Sequence, residues 1–204
     1  MNAPGGAAPQ QLAVDAAARA RQKGQSPRVV WITGLPGAGK STLACALDQA
    51  LFRRGRHSFV LDGDNLRRGL SRDLGFGGAE RDENIRRAAQ VARLMLEAGL
   101  IVLVAMISPH RAERRVARGL FAPGEFLEVY LSTPLEECER RDPKGMYRMA
   151  RAGRIAEFTG VSAPYEAPEH AELVLDTSRL SVAQCVRSVL GALESGAPVR
   201  AARG

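Results

Sequence analysis

A glycine-rich segment has the residue types and the spacing needed to bind phosphate. Gly34 to Ser41 reads Gly-Leu-Pro-Gly-Ala-Gly-Lys-Ser and fits the pattern GxxxxGK[ST] at every fixed position. Its glycines let backbone N–H groups curl around phosphate oxygens, its lysine can reach the β- and γ-phosphates, and its serine hydroxyl can hold Mg²⁺. A strand-like run before it and a helical pattern after it argue against a chance match. The segment therefore predicts a P-loop that binds ATP, with Lys40 as a catalytic residue and Ser41 as a metal ligand. The predicted ATP-binding residues are Gly34, Leu35, Pro36, Gly37, Ala38, Gly39, Lys40, Ser41 and Thr42.

Two carboxylates follow the second strand-like run, in the segment Asp62-Gly-Asp64-Asn65. Ligands of open parallel sheets bind at the carboxyl ends of strands, so both carboxylates should lie beside the phosphates. There they could position Mg²⁺ or accept a hydroxyl proton during phosphoryl transfer. The spacing alone is equally compatible with a polar turn in which an aspartate caps a helix.

Basic residues come next, and arginine forks suit the oxygens of phosphate and sulfate. Arg81 and Asn84 are one helical turn apart near a predicted helix start, where they could together grip an anion. A solvated helix face is the simpler explanation for some of the others. The basic residues of this run are Arg67, Arg68, Arg72, Arg81, Arg86 and Arg87.

A third strand-like run ends in Ser108-Pro109-His110. Ser108 could contact a substrate or cap the following helix, and a structural role is favoured for His110.

Apolar strand-like runs alternate with amphipathic helical patterns, which favours a parallel sheet covered on both faces. The predicted strands are 28–33, 58–62, 100–107, 126–131 and 172–176. Helices are predicted over 40–54 and 82–98, and two more after capping boxes at 133–136 and 181–184. The fold class is therefore α/β, a three-layer P-loop NTPase-type domain with a central parallel sheet of about five strands, helices on both faces and a basic lid.

We expect one domain at residues 28–194, between tails of low order at 1–27 and 195–204. Within the domain, residues 139–168 are basic and rich in Gly and Pro, which predicts a lid that closes over ATP. Lys144, Arg148 and Arg151 are at helical spacing, and Tyr147 or Phe158 could stack on a base. An RNA-binding surface is the alternative, but aromatic residues make up only 5% of the chain.

Composition restricts the class of protein further. The 204 residues are 45% hydrophobic and 25% charged, with a net charge of +7. This charge suits either a nucleic acid or small polyanionic substrates; the position of the basic residues favours the latter, so we expect no nucleic-acid partner. No apolar run is long enough to span a bilayer and the N-terminus lacks the pattern of a signal peptide, so we expect a cytoplasmic protein without a membrane partner. Cys45 and Cys185 lie on predicted apolar helix faces, which favours core thiols.

Taken in order along residues 28–190, these motifs resemble the adenylylsulfate kinase family. The segments that carry the resemblance are 34–42, 61–67, 73–76, 81–86, 107–109, 141–147, 150–153, 158–160 and 163–168. The resemblance implies transfer of the ATP γ-phosphate to the ribose 3′-hydroxyl of adenylyl sulfate (APS), which yields 3′-phosphoadenylyl sulfate (PAPS). It also implies Mg²⁺, a homodimer and functional coupling to a separate sulfate adenylyltransferase.

The resemblance also implies roles for individual residues. Phe76 and Phe158 match the pair that sandwiches the adenine of APS; the alternative is that both are ordinary core aromatics. Ser108 matches a serine sometimes assigned as a phosphoserine intermediate, but direct in-line transfer needs only positioning and charge stabilisation. The implied catalytic residues are Lys40, Asp62, Asp64 and Ser108. The implied substrate contacts are Asp64, Arg67, Phe76, Arg81, Asn84, Ile107, Ser108, Lys144 and Phe158.

The chain departs from the family pattern at Pro36, where a serine is usual, and at His110, where an aromatic residue is usual. Two other classes stay open. A P-loop kinase of another small hydroxyl compound, such as gluconate, would share the P-loop and lid but would not need the two phenylalanines, Arg81 and Asn84. A GTPase switch would carry an Asn-Lys-x-Asp segment to read the base, and the sequence has none.

Overall fold

A computed structural model describes residues 13–195, and its centre is a fully parallel five-stranded sheet. The strand order is β2-β3-β1-β4-β5, which places the first strand in the middle. The strands are β1 (Arg28–Gly34), β2 (Ser58–Asp62), β3 (Ile101–Ala105), β4 (Phe126–Leu131) and β5 (Leu173–Leu175). The predicted α/β class and parallel sheet are confirmed; β3 and β5 are shorter than the apolar runs that predicted them.

Helices cover both faces of this sheet. They are α1 (Ala16–Lys23), α2 (Lys40–Arg53), α3 (Gly63–Leu66), α4 (Gly78–Glu97), α5 (Arg111–Arg118), α6 (Leu135–Arg141), α7 (Met146–Arg151) and α8 (Val182–Ser195). Alternate residues of β1 point to opposite faces, so the strand contributes to two separate cores. Val30 and Ile32 pack with α2 and α8, whereas Val29 and Trp31 pack with α4.

The register of the sheet brings the predicted functional segments to one edge. Gly34 pairs with Leu131 at the ends of β1 and β4, and Asp62 pairs with Ala105 at the ends of β2 and β3. The glycine loop, the two aspartates and the turn at Ser108 therefore start from neighbouring carboxyl ends.

Residues 13–27 differ from the expected tail of low order. α1 lies within that range, with the Asp15 carboxylate accepting the Ala18 N–H at 2.7 Å and Gly24 ending the helix at φ +58°. Gln25 then donates to the backbone carbonyls of His57 and Gly99. The helix lacks the apolar periodicity that is typical of a core helix, so the sequence pattern did not predict it. Residues 1–12 and 196–204 lie outside the described part, so that portion of the tail predictions has no structural counterpart.

Of the two predicted capping boxes, one is wrong and one is confirmed. The 133–136 capping box does not form, because the Thr133 hydroxyl turns to the Thr177 hydroxyl at 2.8 Å and Pro134 occupies the cap position. The box at Ser181 does form, with the Gln184 side chain accepting the Ser181 N–H at 2.8 Å.

Among the cysteines, Cys185 is buried as expected, but Cys45 is exposed because it lies on the outer face of α2. Within residues 13–195 no helix is both long and apolar enough to cross a membrane.

Candidate active site

The glycine loop after β1 takes backbone conformations that only glycine adopts easily. Gly37 has φ +77°, and a Cβ there would lie 2.9 Å from the Cys138 carbonyl oxygen. Gly39 has φ +97° at the position that caps α2. The loop can therefore pass close under a ligand and deliver it to the N-terminus of α2, where backbone N–H groups and the helix dipole favour an anion.

Lys40, the first residue of α2, is held under this loop. Its ammonium donates to the Gly34 carbonyl at 3.0 Å and to the Leu35 carbonyl at 2.8 Å. Burial lowers the pKa of the Lys40 amine to about 8, against the opposing attraction of Cys138, Asp62 and Asp64. A phosphate chain in the loop would offset this desolvation, so the loop is better suited to an anionic ligand than to water.

Ser41 and Asp62 form a pair of hard oxygen donors beside the loop. The Ser41 hydroxyl donates to Asp62 Oδ2 at 2.5 Å. The other carboxylate oxygen of Asp62 caps α3 by accepting the Asp64 N–H at 3.0 Å. Asp62 thus caps a short helix, which is one of the two alternatives that the sequence left open, and its other oxygen faces the P-loop. Magnesium is commonly held by a serine hydroxyl, one carboxylate and substrate phosphates, so these two side chains fit it.

Support for the loop comes from Arg141, Tyr147 and Thr177, of which the sequence analysis did not select Thr177. Arg141 donates to the Thr177 hydroxyl and carbonyl at 2.8 Å each, and the Thr177 hydroxyl donates to the Ala38 carbonyl at 2.9 Å. The Tyr147 hydroxyl donates to the Pro36 carbonyl at 2.9 Å. Thr177 follows β5, and the only available signal was its position at the carboxyl end of a parallel strand. Tyr147 is buried under the loop and is not placed to stack on a base.

On the other side of the pocket, α3 and the start of α4 bring together the predicted anion-binding residues. Arg67 donates to the Gly75 carbonyl at 2.5 Å, and its guanidinium carbon lies 4.6 Å from the centre of the Phe76 ring. Phe76 is 66% exposed. Arg81 donates to the Glu157 carbonyl at 2.5 Å, which links α4 to the segment that carries Phe158.

Asn84 is the most informative residue of this group. Its side chain is 3% exposed and lines the pocket, and its Oδ1 atom has no hydrogen-bond partner within residues 13–195. A buried polar oxygen without a partner is costly, and such atoms commonly mark the place of a bound group. Oδ1 is thus available to a donor on a ligand.

Ser108 lies beside Asn84 in the pocket wall, but its hydroxyl is engaged within the protein. It accepts from the Trp31 indole at 3.0 Å and donates to the Thr33 hydroxyl at 3.1 Å, and the residue is 2% exposed. In this arrangement Ser108 has no available hydroxyl proton, and it contributes its backbone to the wall. Ile107 precedes it in the same wall, and its carbonyl accepts from the Thr33 hydroxyl at 2.6 Å.

Phe158 lines the pocket but is mainly a core residue. It is 6% exposed and packs edge-on against Tyr147, with ring centres 5.0 Å apart. The two alternatives for this residue, an adenine clamp or a core aromatic, are therefore not exclusive. Phe76 lines the same cavity, and the Arg67 guanidinium lies against its ring.

The predicted lid runs across the mouth of the pocket, although most of its basic residues face elsewhere. Of its six basic side chains only Arg141 and Lys144 line the pocket; the others are Arg140, Arg148, Arg151 and Arg154. Arg140 pairs with Glu137, and Arg151 pairs with Glu139, so local ion pairs on α6 and α7 explain them. Lys144 forms an ion pair with Asp64, which ties the lid to the end of β2.

The residues that line the pocket surround one cavity of about 800 Å³. Its lining contains the P-loop at one end and, at the other, Arg67, Phe76, Arg81, Asn84, Ile107, Ser108 and Phe158. A nucleotide and a second ligand can therefore lie in the same cavity. The sequence model of the family described as adenylylsulphate kinase matches residues 26–176.

The chain belongs to the adenylylsulphate kinase family.

Similar proteins agree with this family assignment. A protein of Shewanella denitrificans named adenylyl-sulfate kinase is 58% identical over 183 residues, which cover 90% of this chain and 89% of the relative. The solved structure of the Mycobacterium tuberculosis APS kinase in complex with AMPPNP and APS is 45% identical, with a TM-score of 0.80, and the match covers 83% of this chain and 99% of that one. The predictions of family, kinase activity and ATP use are thereby confirmed.

A more distant structure shares the fold alone. A gluconokinase of Sinorhizobium meliloti is 19% identical with a TM-score of 0.53, over 84% of this chain and 94% of that chain. Its likeness supports the α/β fold and says nothing about the acceptor.

Proposed function

We propose that this member of the adenylylsulphate kinase family transfers the γ-phosphoryl group of ATP to the ribose 3′-hydroxyl of adenylyl sulfate. The products are ADP and 3′-phosphoadenylyl sulfate. A bond forms between the 3′-oxygen and the γ-phosphorus, the bond from that phosphorus to the β,γ-bridging oxygen breaks, and the hydroxyl proton passes to a carboxylate.

One observation carries the proposal. The cavity with the P-loop at one end has Asn84 at the other, with a buried oxygen that lacks a partner, beside Arg67 and Arg81. Arginine forks match sulfate and phosphate oxygens, and the asparagine amide suits a nucleoside donor. A sugar acid would use the arginines but would leave the exposed Phe76 ring without a planar partner.

Each side of the cavity has its own part in catalysis. The loop residues 34–42 would hold the ATP phosphates, and the Lys40 ammonium would stabilise charge on the transferring group. Asp64 lies between the two halves and would accept the hydroxyl proton when Lys144 moves from it to the acceptor. Ser108 and Ile107 would form the wall against which the acceptor is oriented, and transfer would be direct.

Magnesium is part of the proposal. Ser41 and Asp62 would hold it together with ATP phosphates, because their oxygens already lie 2.5 Å apart at the N-terminus of α2. The ion supplies neutralisation of the phosphate charge. Asp62 would then contribute through the metal, and Asp64 through the acceptor.

The proposal extends to the setting of the protein. We infer a cytoplasmic homodimer that works with a separate sulfate adenylyltransferase, which would supply its acceptor. Free thiols at Cys45, Cys138 and Cys185 suit a reducing compartment. A solved relative from Thiobacillus denitrificans is described as a hexameric APS kinase, so assembly occurs among related proteins.

A thermal-shift panel tests the acceptor class. Protein with ADP and Mg²⁺ is melted with APS, gluconate or shikimate at equal concentrations. Ligand at about 100 times its Kd stabilises by roughly 2.7 kcal/mol, so APS alone should raise the melting temperature by several degrees. A larger shift with gluconate or shikimate than with APS would contradict the proposed acceptor.

A further inference from the structure

A buried arginine stands behind the acceptor side of the cavity without lining it. Arg114 of α5 is 3% exposed, and its Nε atom lies 2.9 Å from Glu128 Oε1 on β4. The two groups form an ion pair but are not aligned for a hydrogen bond, because Glu128 Oε1 has no hydrogen-bond partner within residues 13–195. Burying an arginine is costly, so its remaining contacts indicate what the structure gains from it.

The two terminal nitrogens of Arg114 hold two separate backbone segments. Nη1 donates to the Ser108 carbonyl at 2.6 Å and Nη2 donates to the Glu166 carbonyl at 2.6 Å. Ser108 has φ +39°, in the left-handed region that residues with a side chain rarely adopt. A strained conformation persists only where the surroundings fix it, and the Arg114 contact is made to the strained residue itself.

The second segment, residues 165–169, is fastened to the same place by other contacts. The Glu166 N–H donates to the Pro109 carbonyl at 2.8 Å, and the Tyr165 and Thr33 hydroxyls are 2.8 Å apart. The guanidinium carbon of Arg114 also lies 5.7 Å from the centre of the Tyr165 ring. Arg114 is thus at the junction of the Ser108 turn, this segment and β4.

We propose that Arg114 is a positioning residue for the acceptor. Its guanidinium fixes the left-handed turn at Ser108 and so sets the wall of Ile107 and Ser108 against which the acceptor is oriented. This inference rests on the proposed function. Within residues 13–195 no hydrogen bond or ion pair joins Arg114 to the glycine loop, so the effect should fall on acceptor binding and spare ATP binding.

The chemistry of the role calls for arginine. The planar guanidinium offers two parallel donors to two carbonyls while it faces a carboxylate, whereas a lysine ammonium is a single point. Arg114→Lys therefore keeps the positive charge opposite Glu128 but loses the simultaneous hydrogen bonds to the two carbonyls.

The test measures KM for APS, KM for ATP and kcat for wild type and Arg114→Lys. Small misplacements of a reacting group have large effects on rate, so we expect KM for APS to rise about tenfold or more, with KM for ATP within about twofold of wild type. Arg118→Lys is the matched control. Arg118 lies one turn further along α5 and pairs with the same Glu128, but its other partner is Glu172. It should leave both KM values unchanged.

A second variant guards against a folding defect. Arg114→Gln with Glu128→Gln removes both charges, so no buried charge is left unpaired, and it loses the same grip. It should show the same selective rise in KM for APS. Equal rises for both substrates, or an Arg114→Lys enzyme that matches Arg118→Lys, would overturn the inference. A wild-type protein that does not phosphorylate APS would instead refute the proposed function.

Discussion

Lys40 shows how one residue connects the fold to the chemistry. Its ammonium is buried and held by two carbonyls of the loop that it serves, and burial lowers its pKa to about 8. The positive charge is thus held at a buried position. A bound phosphate chain would offset the unfavourable desolvation of the ammonium. A preorganised charge of this kind stabilises a transition state more than a charge that must first be recruited from water.

Replacing this lysine should remove catalysis and spare the fold. Lys40→Ala deletes a preorganised charge at the transferring group, and the loss of one such contact typically lowers the rate by about 10²–10³. Single-turnover kinetics at saturating ATP would measure it. Lys23→Ala in α1 serves as the control and should retain full activity. A Lys40→Ala enzyme with kcat within about threefold of wild type would rule out this role.

Substitution of the two phenylalanines should have different effects. One substitution should lower stability, and the other should weaken acceptor binding. Phe158→Ala removes a core ring and should cost about 3–5 kcal/mol of stability. Phe76 is exposed, so Phe76→Ala should leave the melting temperature nearly unchanged. It should raise KM for APS about tenfold, because stacking on a base is worth roughly 1–3 kcal/mol. Unchanged APS kinetics in a folded Phe76→Ala enzyme would show that the ring does not contact the acceptor.

At the scale of elements, the carboxyl group of Glu113 on α5 lies against the carboxyl group of Asp82 on α4. Burial raises the pKa of Glu113 to about 8, with the neighbouring Asp82 as a further cause. Two ionised carboxylates can only accept hydrogen bonds, so a hydrogen bond between these groups needs a proton on Glu113. Glu113 also accepts the His110 N–H at 3.3 Å, where α5 begins.

This pair should make stability fall as the pH rises. The pKa of Glu113 is higher in the folded protein than its ordinary 4.5, so its stabilising contribution is complete below about 4.5 and is lost as the pH passes about 8. Glu113→Gln keeps a donor for Asp82 without titrating. Melting temperatures measured from pH 5 to pH 9 should therefore decline less for the variant than for wild type. Parallel curves would contradict the raised pKa.

Elements that have a local sequence signal could be predicted from the sequence. The glycine loop, the five strands and the cap at Ser181 follow from periodicity and turn chemistry. The Thr133 box failed because a partner 44 residues away, Thr177, competes for the same hydroxyl. The burial of Arg114 and of Phe158 depends on β4 and on Tyr147 in the same way. No local sequence pattern predicts contacts between residues so far apart in sequence, because these contacts form only when the elements pack together.

At the scale of the molecule, the net charge of +7 fits the proposed ligands, which are two polyanions. The cations that line the cavity are few, and many of the other basic residues form ion pairs on the surface. Binding of the proposed ligands therefore depends more on the positions of the cations in the cavity than on the net charge of the chain. In the proposed function Lys40 would bind the nucleotide and Arg67 and Arg81 would bind the acceptor. The ion pair of Lys144 with Asp64 lies in the same cavity.

The central claim is that one cavity holds ATP and adenylyl sulfate for direct transfer, and a coupled assay of ADP release tests it most directly. Purified protein is given ATP and Mg²⁺ with and without APS, and the nucleotide product is identified by mass and by the position of its new phosphate. We expect ADP release to depend on APS, with one 3′-phosphoadenylyl sulfate formed for each ADP. ADP release that is the same without APS, or a product phosphorylated at another position, would contradict the account.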